Sequence, residues 1–431
     1  MKSFRLVLLM LTSFVLAACG GAKTSDSVFP TSAACGQSAD SEQSSNQFVV
    51  RNDRRFIVQW ENGTYTIETG TSSEEFKAGF VSRNLALIKH VDNDYRVKLT
   101  NQENLAEVAA DDPIQAESLN WGPQQISAPA VWNQGAKGAG VIIGVIDGMV
   151  DTTHAQLAAN IVINTAEIPN NNIDDDNNGF VDDYKGIQVN SEINDPNTNR
   201  HGTHVTGTIV ADQDLGPVAG IAPRAKVIPA QFIGNDGGGS IGDAIIALNY
   251  VADRGAKIIN MSWGLDACVA VPSLKSALQQ LNNRGILLVT AAGNGNSRGI
   301  GINMDVTPAY PSAYNFLNQI NVAASTSSNF LIGFSNFGRR TVHVAAPGVG
   351  IYSTVPGNQI ETMSGTSMAA PMVSGAAALL WGAVPSATAD EIKKSILQSV
   401  DRNPAASLEV SSSGVINVES ALLALKTLTG K

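Results

Sequence analysis

A polar segment near the C-terminal end leads directly into a long apolar run. The segment reads Ser364-Gly365-Thr366-Ser367-Met368-Ala369-Ala370-Pro371, and residues 372–380 are small or apolar throughout. Such a run predicts a buried helix, and Pro371 is compatible with it because proline is tolerated in a first helical turn. Ser367 then lies at the start of that helix, where unpaired N–H groups and the helix dipole favour negative charge on a nearby atom.

Upstream of this helix, back to residue 120, short apolar runs alternate with helical patterns. The runs are typical of strands that are buried on both faces, and they cover 141–146, 226–233, 258–261, 286–289 and 320–323. Helices are predicted over 240–255, with Ser240 as the N-cap and Gly255 as the stop, and over 272–285. This alternation predicts an α/β fold with a central parallel sheet, in which ligands bind beyond the carboxyl ends of the strands.

Two further polar residues can act together with Ser367. Asp147 directly follows the apolar run 141–146, and a carboxylate there is costly to bury unless it has a partner. His201 opens a helical segment, 200–208, that is rich in small residues. A serine hydroxyl becomes a strong nucleophile when a base takes its proton and an acid orients the base. The three residues supply these roles in an order, Asp–His–Ser, that differs from the α/β-hydrolases and from chymotrypsin. Taken alone, Asp147 is also compatible with a structural turn.

His204 allows a second interpretation of the histidines. His201 and His204 are three residues apart and could ligate a metal, but a zincin requires a Glu directly after the first His, where this chain has Gly202. We therefore interpret His204 as a packed, hydrogen-bonded core residue.

Five motifs in this region resemble those of the subtilisin-like serine peptidase (subtilase) family. They are Val145-Ile146-Asp147, His201-Gly202-Thr203-His204-Val205, Asn260-Met261-Ser262-Trp263-Gly264, Ala291-Ala292-Gly293-Asn294 and Gly365-Thr366-Ser367-Met368-Ala369-Ala370-Pro371. The resemblance covers residues 119–425. It implies a subtilisin-like three-layer α/β fold and a serine endopeptidase that acts on polypeptides. Gly148 is a departure, because the family usually has Ser or Thr after the Asp, and we expect altered hydrogen bonding at Asp147.

The resemblance also implies roles for individual residues. Asp147 would orient His201, His201 would act as general base and then acid, and Ser367 would be the nucleophile that forms an acyl-enzyme. Asn294 and the Ser367 backbone N–H would form the oxyanion hole. The implied substrate-binding residues are Ser262, Trp263, Gly264, Gly237 and Gly238.

The sequence allows several alternatives for the specificity and the activity of the protein. Ala309 is expected to narrow the base of the specificity pocket, which favours a neutral, apolar residue there, and the Tyr310–Pro311 bond resembles the family's cis-proline site. A catalytically inactive binding or scaffold protein with the same fold is the alternative. A protease dedicated to one partner protein is a third possibility. We expect a monomer.

The N-terminus has the pattern of a lipoprotein signal peptide over residues 1–18. Lys2 and Arg5 precede an apolar run that ends in Leu16-Ala17-Ala18-Cys19, which resembles a bacterial lipobox. Cys19 would then carry lipid and anchor the protein outside the cytoplasm, and Gly20 after it suggests the outer membrane of a Gram-negative bacterium. The alternative is an ordinary signal peptide. Residues 19–47 are rich in Ser, Ala, Gly, Thr and Gln, which predicts a flexible tether.

Residues 48–112 have the strand and helix patterns of a small α+β domain. Strands are predicted over 48–50, 56–60 and 94–99, and the segment Val91 to Val97 resembles the end of a subtilase propeptide. The resemblance implies a folding aid and inhibitor that is removed by a cut between 103 and 120. A permanent adhesion or tethering domain is the alternative. A disulfide between Cys35 and Cys268 is compatible with an oxidising compartment.

An acidic insertion between Asp147 and His201 predicts a calcium site. Its liganding positions would be Asp174, Asp176, Asn178, the Phe180 carbonyl, Asp182 and Asp183, with Gly179 at the sharp turn. Lys185 stands where an EF-hand has its bidentate Glu, so this is a looser calcium loop. A solvated acidic loop is the alternative. Gln156 replaces an Asp that many subtilisins use for a different calcium site, which is expected to be absent.

Composition excludes several classes of protein. The 431 residues carry 28 Lys and Arg against 38 Asp and Glu, a net charge of 28 − 38 = −10, which argues against a nucleic-acid binder. Hydrophobic residues make up 43%, enough for a large core, and three cysteines cannot build a disulfide framework.

Overall fold

The computed structural model describes residues 23–28, 50–98, 119–189, 200–235, 237–265, 270–296, 298–402 and 409–431. They form a small domain (50–98, with 23–28 packed on it) and a large domain (119–431). The signal peptide, Cys19, the Cys35–Cys268 pair and residues 103–118 of the expected cleavage region lie outside these ranges. No helix within them is both long and apolar enough to cross a membrane.

The small domain is an antiparallel sheet covered by helical turns. Strand β1 (Val50–Trp60) lies between β2 (Tyr65–Thr69) and β3 (Ile88–Lys98). The helical turns are Ser73–Phe76, Lys77–Val81 and Ser82–Asn84. The sequence suggested two separate strands before residue 61, but β1 is continuous from Val50 and accommodates the irregular stretch by a shift of register between Asn52 and Phe56.

Part of the expected tether is ordered against this domain. Residues Ser25–Val28 form one helical turn, and Val28 is only 2% exposed in the small domain's core. Lys23 Nζ lies 2.5 Å from Glu61 Oε1. Residues 23–28 thus pack on the small domain, since a valine in an otherwise polar segment can extend a core that is small by itself.

The large domain is built on a mostly parallel sheet. Within the described ranges this sheet has nine strands. Each neighbouring pair is parallel except Val400–Arg402 with Gly414–Ile416, which is antiparallel. In sheet order they are β14 (Val400–Arg402), β15 (Gly414–Ile416), β11 (Val344–Pro347), β10 (Gln319–Ser325), β9 (Leu287–Ala291), β8 (Ile258–Met261), β4 (Ile142–Asp147), β6 (Lys226–Gln231) and β5 (Ile187–Gln188). All five strands predicted in this region are present, within a few residues of their expected ends.

Helices cover both faces of the sheet and complete the expected three layers. They are Trp121–Gln125, Ala128–Asn133, His201–Val210, Ile241–Asp253, Pro272–Asn283, Thr366–Ala383, Ala389–Gln398 and Val418–Thr429. Adjacent strand residues face opposite layers: Ile258 packs with the helix Thr366–Ala383, whereas Ile259 packs with the helix Ile241–Asp253. The Ser240 side chain accepts from the Asp243 N–H at 3.0 Å, which confirms the predicted N-cap.

The small domain docks on the two helices of one face. Asp94 accepts from the Gly242 N–H at 2.8 Å, and Asp92 accepts from the Ser273 N–H at 2.7 Å. These carboxylates therefore lie at helix N-termini, where negative charge is favourable. The edge strand β3 also pairs antiparallel with β7 (Gly238–Ser240) of the large domain.

Candidate active site

Asp147 is the last residue of β4, and its side chain is fully buried. Its Oδ1 lies 2.7 Å from His201 Nδ1 and accepts from the Gly148 N–H at 2.6 Å. Its Oδ2 has no hydrogen-bond partner among the residues that the structure describes. Gly148 has no hydroxyl to offer this oxygen, in agreement with the altered hydrogen bonding that the sequence led us to expect.

His201 begins the histidine helix (His201–Val210), in which every residue is buried. Small residues allow this close packing, since a Cβ on Gly202 would lie only 2.7 Å from the Met149 carbonyl oxygen. A ring nitrogen bonded to a carboxylate carries the proton, so His201 Nδ1 is the N–H donor and Nε2 is the nitrogen that can accept a proton. The contact with Asp147 thus selects the tautomer that a general base needs.

Ser367 is the second residue of the serine helix (Thr366–Ala383) and is 6% exposed. Gly365 precedes the helix with φ +154° and ψ 162°, a conformation open to glycine almost alone. The Ser367 Oγ donates to the Ser262 carbonyl at 3.0 Å. The serine helix packs against the histidine helix, which brings the hydroxyl and the imidazole to the same edge of the sheet.

Asn294 follows β9, and its orientation is set by Thr366. Asn294 Oδ1 accepts from the Thr366 N–H at 2.8 Å and from Thr366 Oγ1 at 2.9 Å, which turns Nδ2 to the other side. The position of a Cβ on Gly365 would lie 3.4 Å from Asn294 Nδ2 and 3.6 Å from Ser367 N. Two N–H donors therefore converge on one small space that only glycine at 365 leaves open, as an oxyanion hole requires. Thr366 was quoted in the sequence motif, but its contact with Asn294 needed the structure.

The predicted specificity residues line a pocket beside Ser367. Its lining includes Ser262, Trp263, Gly264, Ala291, Ala292, Gly293, Asn294, Ala309, Tyr310 and Thr366, none of which carries a charge. The Trp263 indole packs edge-on against Phe232, with ring centroids 4.8 Å apart. The Tyr310–Pro311 bond is cis, as the sequence predicted. The Ser262 hydroxyl points elsewhere, because it donates to the Ser367 carbonyl at 2.8 Å.

The glycines expected to bind substrate are already paired. In β7, Gly238 lies opposite Lys98 and Gly239 lies opposite Val97 in the small domain's β3. Gly237 forms the turn before β7, with φ +73°. Val97 is 3% exposed and belongs to the same apolar core as Phe232 and Trp263. The small domain thus occupies this edge of the large domain as an added antiparallel strand.

The acidic insertion divides its predicted ligands into two groups. Asp174 accepts from the Asn178 and Gly179 N–H groups, and Asp182 accepts from the N–H groups of Asn171 and Asn172, so these carboxylates stabilise turns. The Asn178 side chain donates to Asp183 Oδ2 at 2.9 Å. The Phe180 ring packs edge-on against Tyr250.

A third carboxylate joins Asp176 and Asp183. Glu167, Asp176 and Asp183 each place an oxygen within 4.8 Å of the others. Glu167 is 4% exposed, and its Oε2 has no hydrogen-bond partner among the described residues. Glu167 could not be predicted from the loop pattern, because it lies seven residues before Asp174 and outside the alternating acids.

Gln156 holds the segment that follows the histidine helix. It is 3% exposed, and its Nε2 donates to the carbonyls of Asp212 and Val218 at 2.9 and 2.8 Å. An amide N–H pair therefore satisfies two buried carbonyl oxygens at the position where the sequence departs from the subtilisin calcium site.

Two histidines outside the site are buried in neutral form. His204 Nε2 contacts the Ile351 carbonyl at 2.9 Å, and the Asn321 N–H donates to His343 Nδ1 at 2.9 Å. Burial lowers the pKa of His204, and likewise that of His343, from 6.5 to about 3. The interpretation of His204 as a hydrogen-bonded core residue is confirmed.

These histidines predict acid-sensitive stability. Their pKa is depressed in the folded chain, so the unfolded chain binds more protons as the pH falls below about 6.5. The two histidines should then contribute a decrease in the free energy of unfolding of about 3 kcal/mol per pH unit between roughly pH 6 and 4, which Asp94 partly offsets because burial raises its pKa to about 6. Denaturant unfolding of the Ser367→Ala chain across this range measures the slope, with autolysis prevented.

A His343→Asn variant provides the control. Asparagine keeps an acceptor for the Asn321 N–H but does not titrate, so the slope should fall by about 1.4 kcal/mol per pH unit whatever the stability at pH 8. An unchanged slope would show that His343 does not carry this proton linkage.

Comparison with known proteins agrees with this geometry. The model of the subtilase family of peptidases matches residues 138–414. Subtilisin BL from Lederbergia lenta is 32% identical over 309 residues, 71% of this chain and 99% of that protein. The major intracellular serine protease of Bacillus subtilis (strain 168) is 35% identical over 271 residues, 62% of this chain and 76% of that protein. Subtilisin-like protease 2 of Plasmodium falciparum (isolate 3D7) is 37% identical over 289 residues, 62% of this chain and 20% of that protein.

The matched region contains the Asp147–His201 pair, Asn294, Ser367 and the parallel sheet that brings them to one edge. On this evidence the chain belongs to the subtilase family and is a serine endopeptidase.

Proposed function

We propose that the chain hydrolyses peptide bonds through Asp147, His201 and Ser367 by way of an acyl-enzyme. The observation that carries this proposal is the 2.7 Å contact between Asp147 Oδ1 and His201 Nδ1, at the start of a helix packed on the serine helix. The inactive scaffold is not favoured, because burying a carboxylate against an imidazole is costly for a fold that only binds.

Each residue has a defined step in this mechanism. Ser367 Oγ turns from the Ser262 carbonyl toward His201, whose Nε2 takes the proton as the oxygen attacks the scissile carbonyl carbon. The C–N bond then breaks, and His201 returns the proton to the leaving amine. Water attacks the resulting ester in the same way and releases the carboxylic acid. Asn294 Nδ2 and the Ser367 N–H stabilise the oxyanion in both halves.

A fluorophosphonate probe tests this assignment, because it reacts with an activated serine. The processed chain should be labelled and Ser367→Ala should not. Ser395→Ala is the matched control, since Ser395 is also a fully buried helical serine but lies in the helix Ala389–Gln398. Labelling of Ser367→Ala equal to that of the parent would overturn the proposal.

The pairing of β3 with β7 supports a propeptide role for residues 48–112. A substrate would have to pair with the same edge that β3 covers, so the docked small domain competes with it. Only residues 99–102 separate Lys98, the last residue of β3, from the region 103–120, where we place the maturation cut. This arrangement favours a temporary inhibitor over a permanent adhesion domain.

The interface between the domains has a polar and charged part beside its apolar contacts. Arg55 forms ion pairs with Asp94 (3.1 Å) and with Asp243, and Gln59 Nε2 donates to Ser276 Oγ at 2.7 Å. Burial raises the pKa of Asp94 to about 6, although Arg55 opposes the shift. The docked form therefore binds a proton more readily than the free form, and docking weakens as the pH rises from about 4 to 6.

We also propose that Glu167, Asp176 and Asp183 hold a calcium ion. The residues fit such an ion, since three carboxylates converge and the Glu167 Oε2 is buried with no hydrogen-bond partner in the described chain. Carboxylate oxygens are the ligands that calcium prefers. Asn164 donates to both Asp176 and Asp183, and Arg254 Nη1 lies 3.6 Å from Asp176 Oδ2, so part of the charge is already balanced. Structural calcium would tie the insertion to the sheet, and a solvated acidic loop is the alternative.

Chelation tests this site. In the Ser367→Ala background, EDTA should lower the melting temperature by roughly 5 °C, because an ion at 100 times its Kd stabilises by about 2.7 kcal/mol. Glu167→Gln should melt lower and lose its response to EDTA. Asp174→Asn is the control, because it removes a carboxylate charge of the same loop outside the three-carboxylate cluster, and the asparagine oxygen can still accept from one of the two turn N–H groups. An equal EDTA response in the parent and in Glu167→Gln would contradict the site, and no response in the parent would favour the solvated loop.

We further propose that the protein works outside the cytoplasm, attached through lipid on Cys19 to the outer membrane of a Gram-negative bacterium. The sequence of the signal peptide supports this. Because residues 23–28 pack on the small domain, an anchor on Cys19 would lie only four residues along the chain from them. A cut between 103 and 120 would leave the anchor on the small-domain fragment. Polypeptides are the substrates, and the alternative is a single dedicated partner protein as the substrate.

A further inference from the structure

We propose that Asn260 and Ser374 are positioning residues that set the serine helix relative to the sheet and thereby aim Ser367. Both side chains are fully buried, although Asn260 lies between Ile259 and Met261 in a strand at the centre of the sheet. Neither residue lines the pocket beside Ser367, so neither has an evident contact with substrate. This inference rests on the proposed role of Ser367 as nucleophile.

A continuous hydrogen-bond chain connects the two residues to the nucleophile's backbone. Ser374 Oγ donates to Asn260 Oδ1 at 2.8 Å, and Asn260 Nδ2 donates to Ser262 Oγ at 3.0 Å. Ser262 Oγ then donates to the Ser367 carbonyl at 2.8 Å. Ser367 Oγ completes the connection by donating to the Ser262 carbonyl at 3.0 Å.

These residues are placed so that they hold the serine helix in one position relative to β8. Ser367 and Ser374 are seven residues apart, so they lie on the same face of the serine helix, toward β8. The serine helix is therefore bonded to the end of β8 at two places that are two turns apart. Ser374 bonds Asn260 at one place, and Ser367 bonds Ser262 at the other. A sliding or rotation of the helix would break several of these hydrogen bonds together.

Apolar residues at these positions would also stabilise the contact between the serine helix and β8, but they would allow more than one position of the helix. Leucine or valine at 260 could pack between the sheet and the helix, whereas an asparagine needs partners for both ends of its amide. A buried network with every member satisfied rigidifies its surroundings and selects one geometry. The quantity it controls here is the position of the Ser367 N–H and Oγ, on which both attack and oxyanion binding depend.

Ser374→Ala tests the proposal with the smallest change in volume. It removes the donor to Asn260 Oδ1, so the amide loses its fixed orientation while the helix keeps its packing. We expect kcat to fall about 10- to 100-fold with KM nearly unchanged, since misplacement of reacting groups acts on the chemical step. The rate of fluorophosphonate labelling should fall by the same factor, with calcium and pH held constant.

Asn260→Asp is the second variant, and Ser395→Ala is the control. Aspartate has the same shape and can accept from Ser374, but when ionised it cannot donate to Ser262, so it should also lower kcat. Ser395→Ala removes a buried serine hydroxyl whose hydrogen bond, to the Ile392 carbonyl at 2.8 Å, stays within its own helix. It should therefore leave kcat and the labelling rate unchanged.

Two outcomes would overturn the proposal. One is a folded Ser374→Ala chain with kcat within about twofold of the parent. The other is an equal loss of kcat in Ser374→Ala and Ser395→Ala, which would indicate a general effect of core destabilisation. If Asn260→Asp does not fold, Ser374→Ala decides alone. Retained activity in Ser367→Ala would instead refute the proposed function itself, so the two failures are distinguishable.

Discussion

Replacing Ser367 by alanine should lower kcat by about 10⁶-fold, a magnitude that was measured for the nucleophile of subtilisin itself. Without Oγ no acyl-enzyme can form, and His201 has no hydroxyl to deprotonate. The oxyanion donors Asn294 Nδ2 and Ser367 N–H stay in place, so some acceleration over the uncatalysed reaction should remain. Steady-state hydrolysis of an unfolded polypeptide measures the loss, and Ser395→Ala should hydrolyse it at the parental rate.

The same variant should also stay unprocessed. If the chain cuts itself between 103 and 120, Ser367→Ala will accumulate with residues 48–112 still joined to the large domain. Because β3 then remains on β7, the substrate edge should stay covered. Electrophoresis and N-terminal sequencing of the purified chain show the outcome. Complete processing of Ser367→Ala in a preparation without other proteases would refute self-cleavage.

Replacing Asp147 by asparagine should lower kcat by about 10⁴-fold, as the corresponding change does in the serine protease triad. Asp147 Oδ1 is held 2.7 Å from His201 Nδ1, and an amide placed there favours the wrong tautomer of the imidazole. The imidazolium formed during attack also loses its counter-charge. Measurement of kcat and KM should show the loss in kcat, with KM changed little.

Asp151→Asn is the matched control for this prediction. Asp151 accepts from Thr153 through Oδ1 and from the Gly357 N–H through Oδ2. An asparagine oxygen can keep the Thr153 contacts, and neither contact involves His201. Activity should therefore stay within a few-fold of the parent. A loss below tenfold in Asp147→Asn would show that the carboxylate does not orient His201, in spite of its position.

The three residues proposed to react could be predicted from the sequence because each stands at a local signal. Asp147 ends an apolar run, His201 begins a helix of small residues, and Ser367 precedes a buried helix. In a parallel sheet the carboxyl ends of the strands meet at one edge, so local positions alone predict that such residues converge. The 2.7 Å Asp147–His201 contact joins residues 54 positions apart in agreement with that rule.

The proposed calcium ligands could not all be found from local sequence. Alternating acids in 174–183 predicted a metal loop, but they did not distinguish ligands from turn-forming carboxylates. Asp174 and Asp182 bond nearby N–H groups, whereas Glu167, outside the pattern, joins Asp176 and Asp183. The loop must fold back on itself before particular carboxylate oxygens face the same point. Residue spacing alone does not predict that folding.

The sequence by itself determined the parts that follow from local pattern and chain order: the α/β alternation and the positions of the three residues proposed to react. Tertiary structure alone decided the contacts that join distant segments. These are Val28 in the small core, β3 on β7, Thr366 on Asn294, and the network from Ser374 through Asn260 to Ser367. The physical reason is range: periodicity and capping act over a few residues, whereas buried polar groups take whatever partner the packed layers bring within about 3 Å.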